Sequence, residues 1–128
     1  NLDYAATFLE ATGIPVPKEM QGRSLIPLFE GKTPPDWRQS IYYHYYEFPG
    51  VHSVPRHYGV VTDRYKLVHL YKPDNYWELF DLEKDPNEMK SVYDNPEYSE
   101  IRKNLESKLA KLRHDLKVPE NDIRGTKR

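Results

Sequence analysis

The spacing of the apolar residues changes twice along this chain, and those two changes constrain its fold more than any single motif does. From Ser40 the period is two: Ile41, Tyr43 and Tyr45 alternate with Tyr42, His44 and Tyr46, as a strand with one buried face requires. Residues 57–62 and 65–71 are two further β-rich runs separated only by Asp63-Arg64, which predicts a tight antiparallel hairpin. Lys72-Pro73-Asp74-Asn75 supplies another turn, and residues 76–82 a fourth strand. After Asp85-Pro86-Asn87-Glu88 the period lengthens. Asn95 is a good helix cap, Pro96 a good first helical residue, and Tyr98, Ile101, Leu105, Leu109, Leu112 and Leu116 follow at spacings of three or four. The pattern predicts an α+β fold, a four-stranded antiparallel meander packed against a long C-terminal amphipathic helix.

In front of the sheet, Leu2, Ala5, Phe8 and Leu9 recur at helical spacing. Asp3 is placed to cap this helix with its carboxylate, and Gly13 to stop it after about ten residues. Residues 18–37 carry Gly22, Pro27, Gly31, Pro34 and Pro35 and read as an extended connector, with one helical turn around residues 25–29. The expected organisation is a helix and connector over residues 1–37, a sheet-and-helix subdomain over 38–118, and a loose tail over 119–128. The chain starts at Asn1 and enters a helical pattern almost at once, so it reads as a piece of a longer protein.

Charge and composition narrow the function. The 128 residues carry 19 Lys and Arg against 20 Asp and Glu, a net charge of −1, which argues against a general nucleic-acid binder or a basic membrane-surface protein. No apolar run approaches the ~20 residues that span a bilayer. The absence of cysteine removes disulfides, thiolate metal sites and a cysteine nucleophile. Hydrophobic residues make up only 38% against 30% charged, so the eleven tyrosines must supply much of the packing area.

No phosphate-cradling glycine loop, nucleophile elbow or zinc-binding histidine pair is present, and no catalytic or metal-ligating residue is assigned. Glu83, Asp85 and Glu88 read as a solvated turn without the ligand spacing of a calcium loop. Charge is nevertheless segregated. Residues 51–75 hold four Lys and Arg against two acids, while residues 78–100 hold eight acids against two lysines. Within the basic run His52, Arg56 and His57 lie in and just after a proline-bounded loop. Imidazole and guanidinium donors there suit a sulfate, phosphate or carboxylate ligand, and the alternative is salt links to the acidic half. His44 and His69 read as structural histidines, His114 as a charge suited to a helix end, and Trp37 and Trp77 as packing residues. The tyrosines at 42, 43, 45 and 46 divide between two faces, so no more than half could stack on a sugar.

The order of several blocks resembles the C-terminal subdomain of the formylglycine-dependent, arylsulfatase-like sulfatases. Residues 1–14 are similar to the segment following the catalytic half of these enzymes. Met20-Gln21-Gly22-Arg23-Ser24-Leu25, Trp37-Arg38, the tyrosine run ending in Glu47, residues 59–67, Glu78-Leu79-Phe80-Asp81-Leu82 and residues 83–88 continue the match in order. The similarity is strongest to bacterial enzymes acting on sulfated glycans, including those that remove 6-O-sulfate from N-acetylglucosamine.

The resemblance implies a C-terminal subdomain that contributes substrate specificity to a sulfuric ester hydrolase, with a glycosaminoglycan-type sulfated glycan as substrate. It implies periplasmic or secreted localisation. Formylglycine and calcium are expected in the upstream catalytic part. Ser53-Val54-Pro55-Arg56 lacks the Cys/Ser-x-Pro-x-Arg spacing from which formylglycine is made, so this chain alone is expected to be inactive and without a cofactor. His52, Arg56 and His57 are then the substrate-binding candidates, and the chain's own N-terminal catalytic domain is the expected partner. The apolar stripe of the first helix would pack on that domain or drive self-association of the fragment. The alternative reading is a stand-alone carbohydrate- or anion-binding module.

Overall fold

The computed structural model describes residues 1–119. The expected tail falls, from residue 120 onward, outside the described residues. Two compact units are present, Asn1–Arg38 and the remainder from Gln39.

The first unit holds helix α1 (Tyr4–Ala11) and one turn of helix, α2 (Ile26–Phe29). Helix α1 ends as its sequence predicts. Gly13 takes a positive φ of 73°, and the amides of Gly13 and Ile14 turn back to the carbonyls of Glu10 and Leu9, closing the last turn. Its start differs from expectation, because Asp3 makes no side-chain cap. Its carboxylate instead accepts the Arg23 amide at 2.8 Å and pairs with the Arg38 guanidinium. A charged partner with two or more donors outcompetes a single helical amide. Buried Thr7 donates to the Asp3 carbonyl (2.7 Å) and accepts the Leu25 amide (3.0 Å), fastening the connector to the helix. Trp37 is flanked by the guanidinium groups of Arg23 and Arg38, each 4.9 Å from its ring. Phe8, by contrast, is 67% exposed, and Leu2 and Tyr4 are exposed with it.

The second unit is the expected α+β arrangement. Strands β1 (Ile41–Tyr45), β2 (Arg56–Val61), β3 (Tyr65–Lys72) and β4 (Tyr76–Asp81) pair antiparallel in the order β1-β2-β3-β4. At the Asp63-Arg64 turn the Thr62 amide donates to the Tyr65 carbonyl at 2.8 Å. After β4 the Asn95 side chain accepts the Glu97 amide, a short 3-10 turn (Pro96–Tyr98) follows, and helix α3 (Ser99–Asp115) begins.

Period two makes the sheet's faces different. Register sets Tyr42, Val60, Leu67 and Leu79 in one cross-strand row and His44, Tyr58, His69 and Trp77 in the next. The first row packs beneath Tyr98, Leu105 and Leu109, which makes the main core. The second row is aromatic and polar together. His44 hydrogen-bonds the hydroxyls of Tyr42 and Tyr71, both at 2.9 Å. His69 Nε2 donates to the Asn75 side chain (2.6 Å), so its Nδ1 accepts from Tyr58 (2.7 Å), and its ring stacks on Trp77. Both are structural histidines, as their strand positions predict. The opposite face carries Val68, Leu70 and Phe80 with Tyr43 and Leu82 against them.

Candidate functional site

Part of the segregated charge is paired around the β3–β4 hairpin. Because β3 and β4 are neighbours, the basic run lies against the acidic one. Arg64 donates from Nε (3.0 Å) and Nη2 (2.9 Å) to the carboxylate of Asp81, and from Nη1 to Glu83 at 2.7 Å. Asp81 is only 2% exposed and also accepts the Tyr98 hydroxyl at 3.1 Å. The Arg64 guanidinium holds its carboxyl below the usual carboxylate range, with Tyr98 assisting and burial opposing. Lys66 pairs with Glu88. Arg64 and Lys66 are thus structural cations; Lys72 is exposed at the end of β3, and the remaining donors, His52, Arg56 and His57, stand at the beginning of the run.

Those donors lie where β1 gives way to the 46–55 loop and β2 starts. His52 is exposed in that loop, next to Ser53, whose φ is 51°. Arg56 opens β2, and its Nη2 donates to the Phe48 carbonyl at 2.8 Å, tying the two ends of the loop together. Its Nε is buried with no hydrogen-bond partner among the described residues. A register shift falls between Arg56 and His57. His57 Nδ1 donates to the Pro55 carbonyl at 2.7 Å, which leaves Nε2 as the ring's acceptor. Its ring stacks on Tyr45, with centroids 5.4 Å apart, and meets Tyr43 edge-on. No hydrogen bond or ring contact among the described residues joins His52, Arg56 and His57 to one another.

His57 does share a small cavity of about 240 Å³ with Tyr43, Val54, Lys66, Glu78 and Glu88, on the sheet face opposite α3. The Tyr43 hydroxyl in this wall is buried and lacks a partner. Burial, reinforced by Glu88 and Glu78, pushes its pKa upward, so it is a neutral donor throughout the physiological range. Sequence reading did not single out Tyr43, Lys66, Glu78 and Glu88 as neighbours of His57. Counting by twos gives each residue's parity, but only the register joins them. The acids at 83, 85 and 88 stand in a turn, where Asp85 accepts the Lys90 amide at 2.8 Å. No group of three or more His, Asp or Glu among the described residues could hold a metal ion, and no described helix is long and apolar enough to cross a membrane.

A helix-backed antiparallel meander with a polar loop at one end defines an α+β subdomain. The chain belongs to the family of N-sulphoglucosamine sulphohydrolase C-terminal domains, which matches residues 1–115. It is 44% identical over 128 residues to an N-acetylglucosamine-6-O-sulfatase of Bacteroides thetaiotaomicron, covering 98% of this chain and 23% of that protein. A Delta 4,5-hexuronate-2-O-sulfatase of the same organism is 36% identical over 108 residues, covering 78% of this chain and 20% of the relative. Among solved structures, a protein in complex with its substrate D-glucosamine-2-N,6-O-disulfate superposes with a TM-score of 0.88 at 43% identity, covering 94% of this chain and 25% of that one. The chain therefore spans about a quarter of the length of the relatives it matches.

Proposed function

We propose that this chain is the C-terminal subdomain of a sulfuric ester hydrolase acting on a sulfated, glycosaminoglycan-type glycan, and that its 46–57 segment contributes to substrate specificity. The observation that carries the reading is the 44% identity, over nearly the whole chain, to an N-acetylglucosamine-6-O-sulfatase. The chemistry of the loop is consistent with it. His52 and the Nε2 of His57 can exchange hydrogen bonds with sugar hydroxyls, and Arg56 carries an unpartnered Nε suited to an anionic group.

The residues here do not fit a formylglycine or calcium site. There is no cysteine, no serine with the required proline and arginine spacing, and no acidic metal-ligating cluster among the described residues. Both groups are assigned to the upstream catalytic part of the parent protein. This chain acts by positioning: a wall holding the sugar in register with a distant reacting bond lowers the barrier through orientation. Exposed Leu2, Tyr4 and Phe8 of the first unit are assigned to the contact with that catalytic part, in a periplasmic or secreted enzyme.

The test is steady-state kinetics of the full-length protein on a sulfated glucosamine disaccharide. His52→Ala and His57→Ala should each lower kcat/KM by roughly 10-fold or more, the scale of a lost substrate hydrogen bond. Unchanged values in both variants would remove the specificity role. No sulfate release by the wild-type protein would remove the sulfatase reading itself.

A further inference from the structure

We infer that the cleft between the C-terminal half of α3 and the aromatic row of the sheet is a second glycan site, one that takes an anionic sugar unit of a longer sulfated chain. It rests on the reading of the parent as a glycan sulfatase. The cleft holds about 690 Å³, within the ~300–1,000 Å³ usual for ligand sites. Tyr58, Trp77, Glu106, Arg113, His114 and Lys117 line it.

Two observations set this cleft apart from an ordinary helix end. Cations in the last turn suit the helix dipole, which accounts for their sign but not for their environment. The Arg113 guanidinium sits 4.1 Å from the centre of the Tyr58 ring, and its Nη1 is buried without a partner among the described residues. The acid in the cleft, Glu106, accepts the Tyr93 hydroxyl (3.0 Å) and lies 3.9 Å from Arg102 Nε. A charged donor is therefore left unanswered beside an indole and a phenol, the combination that recognises a carboxylated or sulfated pyranose.

The second observation is backbone geometry. Helix α3 ends with the amides of Lys117 and Val118 returning to the carbonyls of His114 and Arg113, which puts Lys117 at the left-handed position, φ 53°. Glycine is the favoured residue there, and the first unit uses Gly13 for the same turn. Lys117 therefore holds its ammonium on the wall of the cleft at a backbone position that favours glycine.

Successive residues of a strand point to opposite faces, so Tyr58 and His57 look away from each other across β2. One sugar unit cannot touch both the cleft and the His57 cavity. The ligand of the cleft is accordingly a remote part of an oligosaccharide, and the site contributes to chain-length preference.

The experiment compares a size-defined heparin octasaccharide with a sulfated disaccharide on the full-length protein, wild type against Lys117→Gly and Arg113→Gln. Octasaccharide affinity by titration calorimetry should fall roughly 3- to 10-fold in each variant, the scale of one desolvated ionic contact, while disaccharide kcat/KM stays unchanged. Lys117→Gly should at the same time raise Tm, because it relieves the left-handed strain. Tighter folding with weaker octasaccharide binding cannot arise from structural damage, and it decides the matter should Arg113→Gln fail to fold. Unchanged octasaccharide affinity in Lys117→Gly, or an equal loss of disaccharide turnover, overturns the site. Absent disaccharide turnover in the wild-type protein counts against the sulfatase reading alone, since octasaccharide binding is read independently.

Discussion

Tyr43 and Gly59 face each other across β1 and β2, and the Tyr43 hydroxyl lies 2.7 Å from where a Gly59 side chain would begin. The Leu67 carbonyl oxygen is nearer still, at 2.3 Å. The close approach admits no methyl group, and the carbonyl belongs to a strand that cannot yield alone. Gly59→Ala is expected to destabilise the protein by about 2 kcal/mol, in the range of overpacked core sites. Urea denaturation should show a lower midpoint at unchanged slope. An unaltered midpoint would contradict the geometry.

Tyr43→Phe should behave differently. It removes a buried hydroxyl that has no partner, so the protein should lose nothing, and gain up to about 1 kcal/mol. If that hydroxyl meets the sugar held beside His57, the same variant will show a raised KM with stability intact. A marked loss of stability would mean that the hydroxyl is satisfied after all.

Asp81 is the keystone of the β3–β4 edge, because it gathers Arg64 and Tyr98 on one carboxylate. Asp81→Asn should lower Tm by roughly 10 °C, since it leaves donors facing a neutral amide in a buried place. The acid limb of stability should change too. The native carboxyl titrates below its unfolded value, so its contribution is complete above ~pH 3.9 and lost as pH falls through the native pKa. The variant should lack that component between those two values.

His69 gives a signal nearer neutrality. Burial holds its pKa below the ordinary ~6.5, with Arg113 adding to the effect and the Asn75 hydrogen bond opposing it. The unfolded chain therefore takes up the proton first. Its contribution is whole above ~pH 6.5 and declines as pH drops toward the native value. Urea midpoints at pH 7.5 and 5.5 should fall on acidification, and His69→Gln should reduce that fall.

Much of the fold was legible because it follows from period. Alternation found the first strand, β-rich runs between turns found the other three, the two-residue gap at Asp63-Arg64 found the hairpin, and the stripe from Tyr98 to Leu116 found the covering helix. Their boundaries move by a residue, as at β2, which begins at Arg56 rather than His57. What period cannot supply is the choice among partners distant in sequence. Asp3 looked like a helix cap until Arg23 and Arg38 claimed it, 20 and 35 residues away. The same limit governs the site. Register was needed to bring Tyr43, Lys66 and Glu88 beside His57, and a helical residue 55 positions further along was needed to set Arg113 over Tyr58.

The register shift lies at the very start of β2, where one step from Arg56 to His57 answers two steps from Lys72 to Leu70, and both ladders are regular from His57 onward. Residues 46–55 can be lengthened, shortened or recoded on one side of that shift, while strand pairing from His57 onward keeps its phase and every core side chain its address. A module built this way can be retooled for a new saccharide by rewriting a single surface segment, with its interior left as inherited.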